Sequence, residues 1–358
     1  MFTPIESAIG AILIQYSTYC YMKTEGKVIG FSGTIYNSII NRSPSSISII
    51  LGVLLSTEFI AHYTPVFIAT YGSTMFNSFN TGYSLFTIGT PSNLTLSGLL
   101  VGLGTSAGCG CTSGHMLSGL SRLRWRSLVA TCIFSAFAIA VSTILDNGAT
   151  CYHLGLSSPC YHYDHNFTVF NKNKEVLISI LVLGFASSYI ILPYVTKKVK
   201  KFGNSRLIKL TRFIVGLHSG FLFGLGLSIS GMTSPSKVLG FLSVLNSSKF
   251  DPSLLMIPIF TILPNVIIWY FTIPRTHTEL LTKTKLPTLS KKYDLNFSSK
   301  TPLGFLLGNA LFGLGWGLGG ICPGPGIIGI VYNGRNGALW LTSFMLGYFI
   351  VKYSTSKF

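Results

Sequence analysis

Residues 102–124, "GLGTSAGCGCTSGHMLSGLSRLR", interrupt a greasy chain with glycines and two thiols, and the interruption occurs twice. Residues 313–335, "GLGWGLGGICPGPGIIGIVYNGR", lie on them without a gap, so that Cys111 falls on Cys322. Working outward, "GAILIQYSTYCYMKTEGKVIGFSG" (10–33) lies without a gap on "GFLFGLGLSISGMTSPSKVLGFLS" (220–243). There Met22 matches Met232, Cys20 falls on Ser230, and "KVIGF" (27–31) matches "KVLGF" (237–241). A repeat at fixed spacing organises a chain more firmly than any local motif. It divides this one into a first repeat, 1–146, and a second, 205–358, with 147–204 supplying an outer loop, a linking helix and a basic inner loop.

Hydrophobic residues make up 48% of the 358, charged residues 10%, and the mean hydropathy is +0.54. That is more apolar surface than one globular core hides, and it indicates a multi-pass integral membrane protein. Runs at 128–145, 176–195, 213–230, 253–273 and 338–351 approach the length of a bilayer crossing. Backbone polar groups in lipid must bond one another, so the expected class is an all-α polytopic fold; the alternating ten-residue strands of a β-barrel are not found. The first twenty residues carry Glu6 and no basic stretch, so no removable signal peptide is expected.

The net charge is +17, and many basic residues cluster between apolar spans, as in "SRLRWR" (121–126) and "KKVKKFGNSRLIKLTR" (197–212). The positive-inside rule explains such clusters and is preferred to nucleic-acid binding. It places the loops near 122–126, 197–212 and 275–300 in the cytoplasm and 147–174 outside, with the plasma membrane as the expected location. The outer loop holds Cys151, Cys160 and a glycosylation sequon at Asn166; a Cys151–Cys160 disulfide is expected, with zinc held by "CYH…CYHYDH" the alternative. A second sequon, at Asn93, falls on the same side. With this topology the halves are inverted, and transporters commonly build their sites where inverted repeats meet, from discontinuous helices.

A broken helix leaves backbone groups that lipid cannot satisfy, so the breaks face protein or a polar path. Half-helix N-termini after "CTSG" and "CPGPG" suit a small anion, a preference the basic balance shares. Upstream glycines such as Gly102, Gly104 and Gly313 are read as helix-packing positions. Cys109 and Cys132 are read as ordinary small side chains, whereas Cys111 and Cys322 occupy one break in each half. Thiols in a path suggest a soft ligand atom, sulfur or a soft metal, and a neutral S–H binds weakly enough to release. His115 is expected to bond backbone groups freed by the break. Lys27 and Lys237, at equivalent positions, either snorkel to an interface or attract the anion. Thr112, Ser113, Ser230 and Ser234 either donate to oxygens of the anion or cap helices.

"GCGCTSGHMLSG" resembles the "GCTSGH" signature of the YeeE/YedE sulfur-transport family, and "GGICPGPG" (319–326), with its Gly324, resembles that family's C-terminal cysteine motif. "GMTSPSKVLGFL" followed by "FDPSL" (250–254) is similar to the segment between them. The resemblance spans essentially the whole chain. It implies about nine transmembrane helices in two inverted-repeat halves with re-entrant segments. It also implies a thiosulfate path in which Cys111 and Cys322 are the central contacts and Cys20 a third. Cys20 lies in "TYCYM" where members often have Gly-Gly-Cys, and Met116 stands where they commonly have glycine.

The expected function is therefore import of thiosulfate or a closely related sulfur anion, without a cofactor or a resident metal. A soft-metal or other small-anion channel and a membrane sulfurtransferase are the competing readings. The chain has nine acidic residues and shows no nucleophile, base and carboxylate constellation, so an enzyme is not expected. Expected partners are the anion, the lipid bilayer and a soluble sulfur-handling protein on the cytoplasmic side, with no nucleic acid.

Overall fold

The apolar runs fold as helices, and the basic loops between them gather at one end of the bundle. The computed structural model describes residues 2–69, 71, 90–145, 168–247, 249–274, 276, 278–279 and 286–356, among which there is no strand. The expected Cys151–Cys160 pairing, its zinc alternative and Asn166 lie outside the described residues.

The first part contains α1 (Pro4–Glu25), α2 (Phe31–Ile39), α3 (Pro44–Tyr63) and α4 (Pro91–Ala107), then a π-helical segment, Ser113–Leu120, and α5 (Trp125–Ile144). Helices α6 (Thr168–Phe185) and α7 (Leu192–Phe202) continue through a π-helical turn at Ala186–Ile191. Beyond them come α8 (Ser205–Ser230), α9 (Pro235–Leu242) and α10 (Leu263–Thr272), the last preceded by short turns at Pro252–Leu255 and Pro258–Ile262. The chain closes with α11 (Leu303–Gly319) and α12 (Pro323–Ser356), which kinks at Gly334 (φ 47°, ψ −115°). Proline opens α1, α3, α4, α9 and α12, a position where its missing N–H costs nothing.

Among the described residues six stretches are long and apolar enough to cross a bilayer: 44–63, 125–144, 169–202, 205–230, 252–272 and 303–354. The last combines α11 and α12. Helices α1 and α4 pack along α8 and α11. Large apolar side chains such as Leu183 and Phe271 face outward, as lipid contact requires.

Glycine fixes the closest packing. At Gly102 a Cβ would land on the Phe344 carbonyl, so α4 and α12 touch backbone to backbone. Ser17 Oγ donates to the Ser219 carbonyl (2.7 Å), and Ser7 Oγ to the Ser230 carbonyl (3.1 Å), which sets α1 antiparallel to α8. The basic loops meet beside the end of α1: Arg212 pairs with Glu25 (3.6 Å) and donates to the Leu289 carbonyl, and Arg124 donates to the Ser298 carbonyl (3.3 Å). Thr3, Ser253 and Lys237 gather at the opposite end.

Candidate functional site

Each cysteine motif turns sharply from one helix into another. After α4 the chain passes through Cys109 (φ 58°) and Gly110 (φ 156°) to Cys111, two residues before the π-helical segment. After α11 it passes through Gly320 (φ 67°) to Cys322, and α12 starts at the next residue. The carbonyls at both breaks are satisfied at once: the N–H groups of Gly114 and His115 reach Cys111 O (3.1 and 2.9 Å), and that of Gly326 reaches Cys322 O (2.8 Å). Pro323 and Pro325 have no N–H, so the second break presents fewer backbone donors than its position at a helix start suggests. Side-chain S–H and O–H groups stand beside the backbone donors that are left.

Those groups converge. The Thr112 hydroxyl donates to Cys322 Sγ at 3.5 Å, joining the two breaks. Cys111 Sγ lies 3.2 Å from Ser113 Oγ, which also accepts the Phe31 N–H (3.1 Å) at the start of α2. Cys111 and Cys322 are 1% and 4% exposed, enclosed in the apolar core. Gly324 completes the group, its missing side chain leaving room for the Phe31 ring and Leu227. Phe31 is the residue the motif reading missed; its signal in the sequence was the end of the repeated "KVIGF".

The remaining expected residues lie elsewhere or act structurally. Cys20 is buried on α1, in the same apolar core as Cys111 and Cys322. Ser230 Oγ donates to its own helix at the Leu227 carbonyl (3.1 Å). His115 bridges the first break: Nε2 lies 2.9 Å from the Gly108 carbonyl and Nδ1 3.3 Å from Ser127 Oγ. A carbonyl only accepts, so Nε2 carries the proton and Nδ1 accepts from Ser127. Lys237 Nζ donates to Thr3 Oγ1, whereas Lys27 pairs with Asp294 (3.8 Å) at the other end. Asn93 is fully buried in α4 and donates to the Leu318 carbonyl (3.2 Å), so its sequon is closed to modification. Among the described residues no three His, Cys, Asp or Glu side chains converge as a metal site requires.

Fold and breaks define an integral, multi-pass helical membrane protein with two interrupted segments meeting inside it. Residues 211–355 match the model of a family of unknown function, DUF6691. A protein of Xylella fastidiosa (strain Temecula1 / ATCC 700964), named "Probable transporter", is 31% identical over 142 residues, which take in 91% of that relative and 38% of this chain. Another of the same name, from strain 9a5c, is 38% identical over 116 residues, 73% of that relative and 32% of this chain. The chain belongs to the family of these relatives and is more than twice as long as either. No solved structure matches it.

Proposed function

We propose that this protein is a plasma-membrane transporter that imports thiosulfate or a closely related sulfur-containing anion past Cys111 and Cys322. The observation that carries the reading is the Thr112–Cys322 hydrogen bond, which brings the two thiols and their hydroxyl neighbours to one buried point. Thiosulfate has a soft terminal sulfur and three hard oxygens. Thiol and hydroxyl donors of differing softness, set side by side, match both ends of such an ion. Each contact is a weak neutral hydrogen bond, so the anion is held loosely enough to pass on. The family to which the chain belongs supports the transport half of the reading, and the cysteine motifs support the sulfur half. We take 1–146 and 205–358 as the two inverted halves and the thiols as the point where they meet. Imported thiosulfate would pass to a soluble sulfur-handling protein.

Growth on thiosulfate as sole sulfur source, in cells lacking their own uptake route, tests this. Expression of the protein should restore growth, and Cys111→Ala or Cys322→Ala should abolish it at equal membrane abundance. Growth undiminished in both variants would reject the thiol path.

A further inference from the structure

At the end where the basic loops gather, a cavity of about 400 Å³ opens beside the first cysteine motif. Gly114, His115, Lys27, Arg122, Arg124, Arg126 and Cys109 are among the residues that line it. Four cationic side chains there face one carboxylate, Asp294, which is already taken by Lys27 at 3.8 Å. The Arg212–Glu25 ion pair involves none of the three arginines.

Surface arginines ordinarily end in water or on carboxylates. Here Arg122 Nη1 and Arg126 Nε are buried without a hydrogen-bond partner. Arg122 Nε donates to the Ser118 carbonyl (3.2 Å), and the Arg126 guanidinium lies over the Phe305 ring (4.3 Å). These contacts fix the side chains without neutralising them. Burial first, and then the adjacent Arg124, push Arg122 down to about 10.

Cys109 adds an independent observation. Its φ of 58° is left-handed, a conformation glycine adopts freely and other residues rarely do. In the ungapped repeat the equivalent position is Gly320, with φ 67°. One half uses glycine at this turn and the other keeps an exposed thiol there, on the wall of a cationic cavity.

We infer that this cavity is an anion vestibule, in which Arg122, Arg124 and Arg126 hold a small oxyanion or thio-oxyanion beside the Cys109 thiol. It rests on the transport reading above in that the anion it holds is taken to be the one transported. A vestibule of this kind raises the local anion concentration at the mouth of a path and lowers that of cations. The charge would come from a soluble anion rather than from a lipid headgroup.

The test uses the full chain in phosphatidylcholine nanodiscs, with Cys132, Cys151 and Cys160 replaced by serine. The modification rate of Cys109 is compared for two methanethiosulfonates, one ending in a sulfonate and one in a quaternary ammonium. The anionic reagent should be favoured by about tenfold or more over its preference for free cysteine, less so at high salt. Millimolar thiosulfate or sulfate should slow it. Arg122→Gln/Arg126→Gln should return the ratio to the free-cysteine value; Arg124→Gln, which gives up the Ser298 carbonyl bond and the contact with the Phe297 ring, should lower it even where the double variant fails to fold. A ratio equal to that of free cysteine in the unsubstituted protein overturns the inference, as does one indifferent to the arginines. Protection by added anionic phospholipid but not by thiosulfate overturns it in favour of a lipid site. Cys111→Ala should keep the anion preference while losing uptake. Uptake retained in Cys111→Ala would remove the thiol path and leave the vestibule standing, whereas uptake lost without any anion preference at Cys109 would do the reverse.

Discussion

Gly324 sits where the two breaks and α2 meet, and Gly324→Ala perturbs that junction by one methyl group. The added Cβ would lie 3.0 Å from Phe31 Cδ2, 3.2 Å from Leu227 Cδ1 and 3.3 Å from Phe31 Cε2. All three distances are a few tenths of an ångström too short, and all involve side chains, so the site must shift without being blocked outright. The Phe31 ring is 1% exposed and meets Phe223 edge-on with centroids 4.8 Å apart, which leaves it little room to retreat. Overpacking of this kind costs about 1–3 kcal/mol, and contact with side chains alone places this case near about 1–2 kcal/mol. The backbone N–H of the same residue donates to Ser113 Oγ, so any backbone shift that accompanies the ring also reaches Ser113. The expected result is a midpoint of thermal unfolding in detergent lowered by several degrees, together with uptake slowed by up to about tenfold. Phe31→Leu in the same chain should recover part of both losses, with a coupling of about 0.5 kcal/mol or more. Additive effects of the two substitutions, or an alanine variant as stable and active as the original, would refute the packing described around Cys322.

Other substitutions separate packing from chemistry. Gly102→Ala drives a methyl into the α12 backbone at Phe344 and Tyr348, where nothing flexible can yield, so it should reduce folded yield severely in size-exclusion profiles. Gly33→Ala, with open space around it, should change neither yield nor uptake. Thr112→Val removes the donor to Cys322 at nearly constant volume; uptake should fall by about threefold to tenfold, the worth of one modest hydrogen bond, while Thr112→Ser retains most of it. His115→Ala frees the Gly108 carbonyl and the Ser127 hydroxyl and loosens the first break, so Cys111 should become reactive to maleimide in the folded protein. Arg212→Gln leaves Glu25 buried with Ser290 as a polar partner and, since Arg212 is itself 40% exposed, should lower stability by about 1–2 kcal/mol, between the values of exposed and buried pairs, read as a lower melting midpoint.

Much of this arrangement is legible in the sequence because the constraints are harsh. Lipid permits few backbone solutions, so apolar runs of the right length read directly as the helices found at 125–144, 205–230 and 252–272. The ungapped repeat paired Cys111 with Cys322, and the two motifs do meet through Thr112. What stayed hidden depends on side chains from distant segments. Ser230 was a candidate donor by alignment with Cys20, yet its hydroxyl is spent on the Leu227 carbonyl, and periodicity cannot reveal an intrahelical bond of that kind. Asn93 carried a sequon, but the burial that closes it comes from α11, more than two hundred residues away. Arg122, Arg124 and Arg126 were read as markers of topology. That they share a cavity with Cys109 depends on the turn at 108–111, whose left-handed geometry is easy to expect of glycine and hard to expect of cysteine.

The most direct measurement is uptake of radiolabelled thiosulfate into proteoliposomes holding the purified protein, with Cys322→Ala and Cys111→Ala compared with the unsubstituted chain. Saturable uptake that disappears in both variants, while their melting midpoints stay unchanged, is the predicted result. Uptake surviving in both variants, or none in the unsubstituted protein, would contradict the account.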